Sequence, residues 1–151
     1  MGTISYDKDV ILWSLEQAAL LRSGQLTQLD LEHLADEIED VGKSEQREVA
    51  SRMAVLLAHL MKWHFQPDRR GKSREDTIAI QRERIALAVK KTPSLKSAML
   101  GRDWQDDAWL DAVGQASNET GLARIDFESA REWPQDRVLA PGWLPEASGK
   151  A

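Results

Sequence analysis

Apolar residues recur three and four positions apart along most of this chain, and no run of alternating β-branched residues bounded by turns is present. Helix formers dominate. The pattern predicts an all-α fold. A first helix is expected from about Asp7 to Ser23, with Asp7 and Asp9 suiting its N-terminus and Gly24 its C-terminus. Its apolar residues Val10, Ile11, Leu12, Trp13, Leu15, Leu20 and Leu21 point nearly all round. Such a helix is buried on several sides or meets a partner. Glu16 and Gln17 then stand as polar groups in apolar company.

A second helix is expected from an Asp30 cap to about His64. Leu31, Leu34, Ile38, Val41, Val49, Met53, Leu56 and Leu60 keep one stripe at about 100° per residue. The phase survives Gly42, so the stripe predicts one helix, bent near Gly42, whose seam other helices cover. Unbent, roughly 35 residues at 1.5 Å each would span about 50 Å and overhang a compact domain, inviting a dimer. A loop with Pro67 and Gly71 follows. Ser73 is expected to open a third helix, with Asp76 completing a capping box. Ile78, Ile85 and Val89 mark one of its faces; Ile80 and Leu87 mark nearly the opposite one. Ser94 should cap a short helix through about Leu100. A last long helix is expected near Asp106 to Asn118, with Gly121 as its left-handed cap. From Ala123 the chain reads as an irregular strap, about residues 123–146, with one helical turn around Gln135 to Leu139. Ala147 to Ala151 should fray. The expectation is therefore one domain, 1–151: four main helices, one long and bent, a short extra helix and a strap.

Composition adds limits. At 151 residues the chain suits one domain and can bury a core without staples. It has no cysteine, which removes disulfides, thiolate zinc sites and cysteine nucleophiles. No signal-peptide pattern opens the chain and no apolar run approaches the roughly 18 residues of a membrane span. A cytoplasmic protein without a membrane role is expected. The net charge of −5 is unevenly laid out. Residues 1–61 carry 5 basic and 11 acidic groups, residues 62–96 carry 10 and 4, and residues 97–151 carry 5 and 10. Helices packing with complementary faces explain this most simply; an anion site in the middle third is the other reading.

Candidate chemistry centres on residues 33–65. Glu45, Arg52 and His59 lie seven residues apart along one edge of the apolar stripe, while His33 and Glu37 point towards solvent. Glu48 can pair with Arg52 one turn on. Glu45 and His59 stand roughly 21 Å apart along the axis, too far to share an ion. His59 and His64 are five apart, poor geometry for a pair. Glu16, Gln17, Glu45, Glu48, Arg52 and His59 are thus expected as a buried polar network fixing helix register. A metal or small ligand held by Glu16, Glu45, Arg52 and His59 is the alternative. The basic loop Arg69, Arg70, Lys72 and Arg74, beside aromatics, could hold a nucleic acid weakly. No phosphate loop, Ser–His–Asp set or His-Glu-x-x-His motif is present. No catalytic residue and no cofactor are nominated.

The block LWSLEQAALLRSGQLTQLDLEHLADEIEDVGKSEQREVASRMAVLLAHLMKWHFQP, with SREDTIAIQRERI, TPSLK and ETGL, resembles the bacterial family catalogued as domain of unknown function 29. The likeness covers nearly the whole chain. It implies a helical bundle and carries no activity, substrate, cofactor or catalytic residue with it. The family's pattern usually has Asn at the position of His33, which speaks against His33 as a shared metal ligand. The leading expectation is a non-enzymatic module that binds a protein partner or a second copy of itself.

Overall fold

A computed structural model describes residues 4–146. The fold is all-α, with no strand among the described residues. Six α-helices follow one another: α1 Val10–Arg22, α2 Leu31–Phe65, α3 Lys72–Lys91, α4 Leu95–Ala98, α5 Arg102–Thr120 and α6 Gln135–Leu139. Tighter 3-10 turns cover Leu26–Gln28, Pro67–Arg69 and Arg124–Glu132. The chain divides into two compact units, Met1–Ser44 and Glu45–Ala151. Each is described by itself.

In the first unit, α1 starts where Asp9 accepts a hydrogen bond from the Leu12 amide at 3.0 Å, two residues inside the expected Asp7 start. It stops at Gly24, whose φ of 75° is the left-handed conformation a side chain resists. Asp30 caps α2, its carboxylate facing the His33 amide at 3.4 Å. The helix then continues unbroken past Gly42. The expected seam is not covered here: Leu31, Ile38 and Val41 are 70%, 71% and 66% exposed.

In the second unit the C-terminal part of α2 is the central helix, buried on two faces. One face carries Val49, Met53, Leu56 and Leu60 into a core with Ile78 and Ile85 of α3, Leu95 of α4, Met99 and Val138. The other carries Ala54, Ala58 and Met61 against Trp109, Ala112, Val113 and Ala116 of α5, with Phe127 closing over them. Alanine facing alanine lets the two helix backbones approach closely. The expected covered seam therefore holds from Val49 onwards, and a second, alanine-rich seam lies opposite it.

Two further helix starts differ from expectation. Gly71, not Ser73, precedes α3, and no side chain caps its N-terminus, so the Ser73–Asp76 box does not form. α5 begins four residues before Asp106, at Arg102, which places Trp109 and Ala112 on its buried face. Its end matches: Gly121 has φ 76° and its amide bonds the Ser117 carbonyl. The expected irregular strap contains the 3-10 stretch Arg124–Glu132 and the turn α6. It is anchored by fully buried Phe127 and by Arg82. Arg82, 6% exposed, donates from Nε to the Val138 carbonyl at 2.9 Å and from Nη2 to the Trp143 carbonyl at 2.7 Å. Burial holds its pKa below the ordinary arginine value. Residues Ala147 to Ala151, expected to fray, lie outside the described residues.

Candidate functional site

The residues expected to form one polar network fall in both units. In the first, Glu16 is half-buried and its carboxylate faces the Ile4 amide at 3.2 Å. Gln17 is 2% exposed and accepts from the Asp30 amide at 2.8 Å, so it is a buried polar residue as expected. In the second, Glu48 and Arg52 form the expected one-turn pair at 3.2 Å, on the surface. Glu45 corrects the expectation: it is exposed, beside Arg52, Arg84 and Lys91 in a shallow depression of about 260 Å³. The stripe ends its exposed stretch only at Val49, so an edge position at Glu45 is still in water. His59 is half-buried and donates from Nδ1 to the Val55 carbonyl at 2.9 Å. Burial lowers its pKa, reinforced by the Lys62 charge and opposed by the bond to the Val55 carbonyl.

The basic loop does not present four free cations. Arg70 donates from Nε to the Trp63 carbonyl at 2.9 Å and its guanidinium stands 5.0 Å from the centre of the Trp63 ring. Arg74 is half-buried, with Nη2 3.5 Å from the Gln66 side chain. Arg69 and Lys72 are exposed. Among the described residues, no three His, Asp or Glu side chains stand close enough to hold a metal ion.

Residues the periodicity does not single out make the best-defined polar cluster. It belongs to the first unit, between α1 and the start of α2. Asp30 accepts from Trp13 Nε1 at 3.0 Å and pairs with His33 Nδ1 at 2.7 Å, while its own amide bonds Gln17. Tyr6 stacks on the His33 ring, centroids 4.2 Å apart, and meets Trp13 edge-on at 4.9 Å. The Tyr6 hydroxyl donates to Glu37 at 2.5 Å. His33 and Glu37 are therefore half-buried partners, not solvent-facing as the stripe predicts. The stripe measures direction from the apolar face alone, and α1 covers a neighbouring flank. Each pKa follows from these contacts. The hydrogen bond to Glu37, with burial and nearby carboxylates, raises Tyr6 to about 12. The Asp30 hydrogen bond raises His33 against the effect of burial. Burial pushes Asp30 up, but hydrogen bonds from His33 and Trp13 outweigh it and hold it below the usual carboxylate range.

This cluster gives the hairpin an inverted plan. The polar and aromatic groups are inside, and the aliphatic ones are outside. Val10, Ile11, Leu12, Leu15, Leu21, Leu26, Leu31, Ile38 and Val41 are each at least 48% exposed. That is nine of the fourteen exposed large apolar side chains among the described residues, within the smaller unit. An open groove of about 430 Å³ runs along α1 past Val10, Ser14, Ala18 and Leu21, with Leu34 on its other wall and Trp13 at its floor.

A second ion pair, buried only on its lysine side, was also invisible in the helical pattern. Lys62, 6% exposed on the last turn of α2, donates to Glu119 of α5. That bond holds the Glu119 carboxyl below its usual range against a smaller effect of partial desolvation.

Among the described residues no helix is long and apolar enough to cross a membrane. No curated protein and no solved structure matches the chain. The sequence model of a domain of unknown function, DUF29, matches residues 5–144. The match spans both units, and the chain belongs to the DUF29 family.

Proposed function

We propose that the protein is a helical interaction module of the bacterial cytoplasm, and that the hairpin of α1 and the start of α2 is its docking element. One observation carries this reading: the hairpin buries polar groups between its helices and leaves its aliphatic side chains in water. Isolated exposed leucines are ordinary, but nine exposed aliphatic side chains concentrated in one small unit mark a surface that something covers. A two-helix unit of 44 residues is also too small to bury such a face on itself. A cysteine-free chain fits a reducing compartment.

The test is a cross-linked pull-down from the native cell with three baits: wild type, Ile38→Asp and Leu87→Asp. Leu87 is 64% exposed on α3, in the other unit. A named protein retained by wild type and Leu87→Asp but lost by Ile38→Asp supports the reading. Retention of every captured protein by Ile38→Asp refutes it.

The reading of a metal- or ligand-binding bundle through Glu16, Glu45, Arg52 and His59 has less behind it. Glu45 is exposed and His59 is committed to a carbonyl. Nucleic-acid binding through Arg69, Arg70, Lys72 and Arg74 is weakened in the same way, because two of the four are drawn into the fold.

A further inference from the structure

We infer that the occupant of the hairpin face is an amphipathic helix of another protein, basic along the edges of its apolar stripe. This rests on the docking reading above and adds the chemistry of the partner. The shape comes from α1. Val10, Ser14, Ala18 and Leu21 follow one another every three or four residues along the groove, over a helix of 13 residues. That is roughly 20 Å of helical ridge, with small residues at its centre, able to seat a parallel or antiparallel helix of about four turns. On α2, Leu31, Leu34, Ile38 and Val41 carry the 3-4-3 spacing of a helix-pairing seam, and three of the four are exposed.

The charge selects the partner. Residues 1–44 hold nine carboxylates and three Lys or Arg, a net charge of −6. From Asp30 to Gly42 there are six carboxylates and no Lys or Arg. Glu37 lines the groove itself; Glu32, Asp36, Glu39 and Asp40 are exposed on the side of α2 away from Leu31, Leu34 and Ile38 and add to the unit's negative field rather than to the rim. A second copy would bring another −6 to the same contact, and like charges across an interface oppose association. A helix with Leu or Ile in the stripe and Lys or Arg beside it satisfies the apolar face, Glu37 at its edge and the negative field of the unit.

The experiment uses the full chain and two designed helical peptides of equal length and leucine pattern, one flanked by lysines and the other by glutamates. Binding is followed by fluorescence anisotropy of labelled peptide at low and high salt. The lysine peptide should bind about tenfold or more tightly than the glutamate peptide, and the difference should shrink with salt. Ile38→Asp, in the exposed α2 seam beside the groove, separates docking on the apolar surface from loose charge attraction. It adds a negative charge, so mere attraction would hold or strengthen, whereas docking should weaken about tenfold. Circular dichroism checks that the variant is folded, which the exposure of Ile38 makes the expected result. Equal binding of the two peptides, binding by neither, or lysine-peptide binding undiminished in Ile38→Asp overturns the inference. So does a wild-type dimer that Ile38→Asp dissociates in sedimentation. If the named protein of the pull-down still depends on Ile38 while the lysine peptide fails, the docking reading stands and only the partner chemistry falls.

Discussion

Replacing Arg82 by Met tests how the C-terminal segment is held. Met keeps the unbranched stem and removes the guanidinium. Two charge-assisted hydrogen bonds go, at 2.9 and 2.7 Å to the Val138 and Trp143 carbonyls. Bonds to charged groups contribute about 1.5–3 kcal/mol each. Val138 is 2% exposed, so its carbonyl has little access to water and carries a further penalty of about 1–3 kcal/mol. Against this, a guanidinium at 6% exposure no longer has to be desolvated, which returns several kcal/mol. The expected net loss is about 2–5 kcal/mol, a fall in Tm on the order of 10 °C. Urea unfolding supplies the free energy, and limited proteolysis shows whether cutting begins within residues 134–146. Arg84→Met, on the exposed side of the same helix, should stay within about 0.5 kcal/mol of wild type. An Arg82→Met protein within about 1 kcal/mol of wild type, with no new cleavage in the tail, would refute the reasoning.

Other outcomes follow from the first unit and from the helix ends. His33 should titrate above the ordinary histidine value by NMR, and Asp30→Asn should bring it down; an unchanged midpoint in that variant would dismiss the pair. The signs of the linkage differ for the two partners. The His33 contribution is full below about pH 6.5 and is lost as pH rises through the raised folded value. The Asp30 contribution is full above about pH 3.9 and is lost as pH falls through the lowered folded value. The pair therefore supports the hairpin best at mildly acidic pH, and His33→Asn should remove the loss on the alkaline side, read by amide exchange in α1. Tyr6 is the single tyrosine, so ultraviolet titration reports it alone: a midpoint near 12 is expected, falling towards the ordinary value of about 10 in Glu37→Gln. Gly121→Ala should cost about 1 kcal/mol because its φ of 76° disfavours a side chain, although no atom stands within 4 Å. Gly42→Ala, inside α2 and equally unobstructed, should stabilise by about 0.5–1 kcal/mol; matching signs for the two glycines in urea melts would sink this account.

Much of the helical plan can be read directly from residue spacing, because helix ends have local causes. Asp9, Gly24, Asp30 and Gly121 sit where caps are needed, and the turn at Gln135 to Leu139 follows Pro134. Spacing reports which side of a helix is apolar, but not what covers it. The stripe from Leu31 to Leu60 is continuous in sequence and covered only from Val49. Alanines carry a weak signal, so the face of Ala54 and Ala58 against α5 stays hidden until the partner helix is known. The Ser73–Asp76 spacing fits a capping box, yet α3 begins before it. The polar cluster was the least legible part. Trp13 reads as an ordinary apolar residue, Asp30 as a cap and His33 as a surface group, and only the fold of the hairpin brings them to one carboxylate. Of the six residues expected as a buried polar network, Gln17 alone is fully buried.

The placement of Phe127, Val138 and the carbonyls that receive Arg82 bears on how the protein is made. Until the segment from Phe127 to Trp143 leaves the ribosome, α2 and α5 lack the ring that closes over their alanines, and a buried guanidinium waits without acceptors. The second unit can collapse earlier but cannot finish. A nascent chain arrested before Phe127 should remain protease-sensitive as far back as α3, and emergence of the segment through Trp143 is the step that locks it.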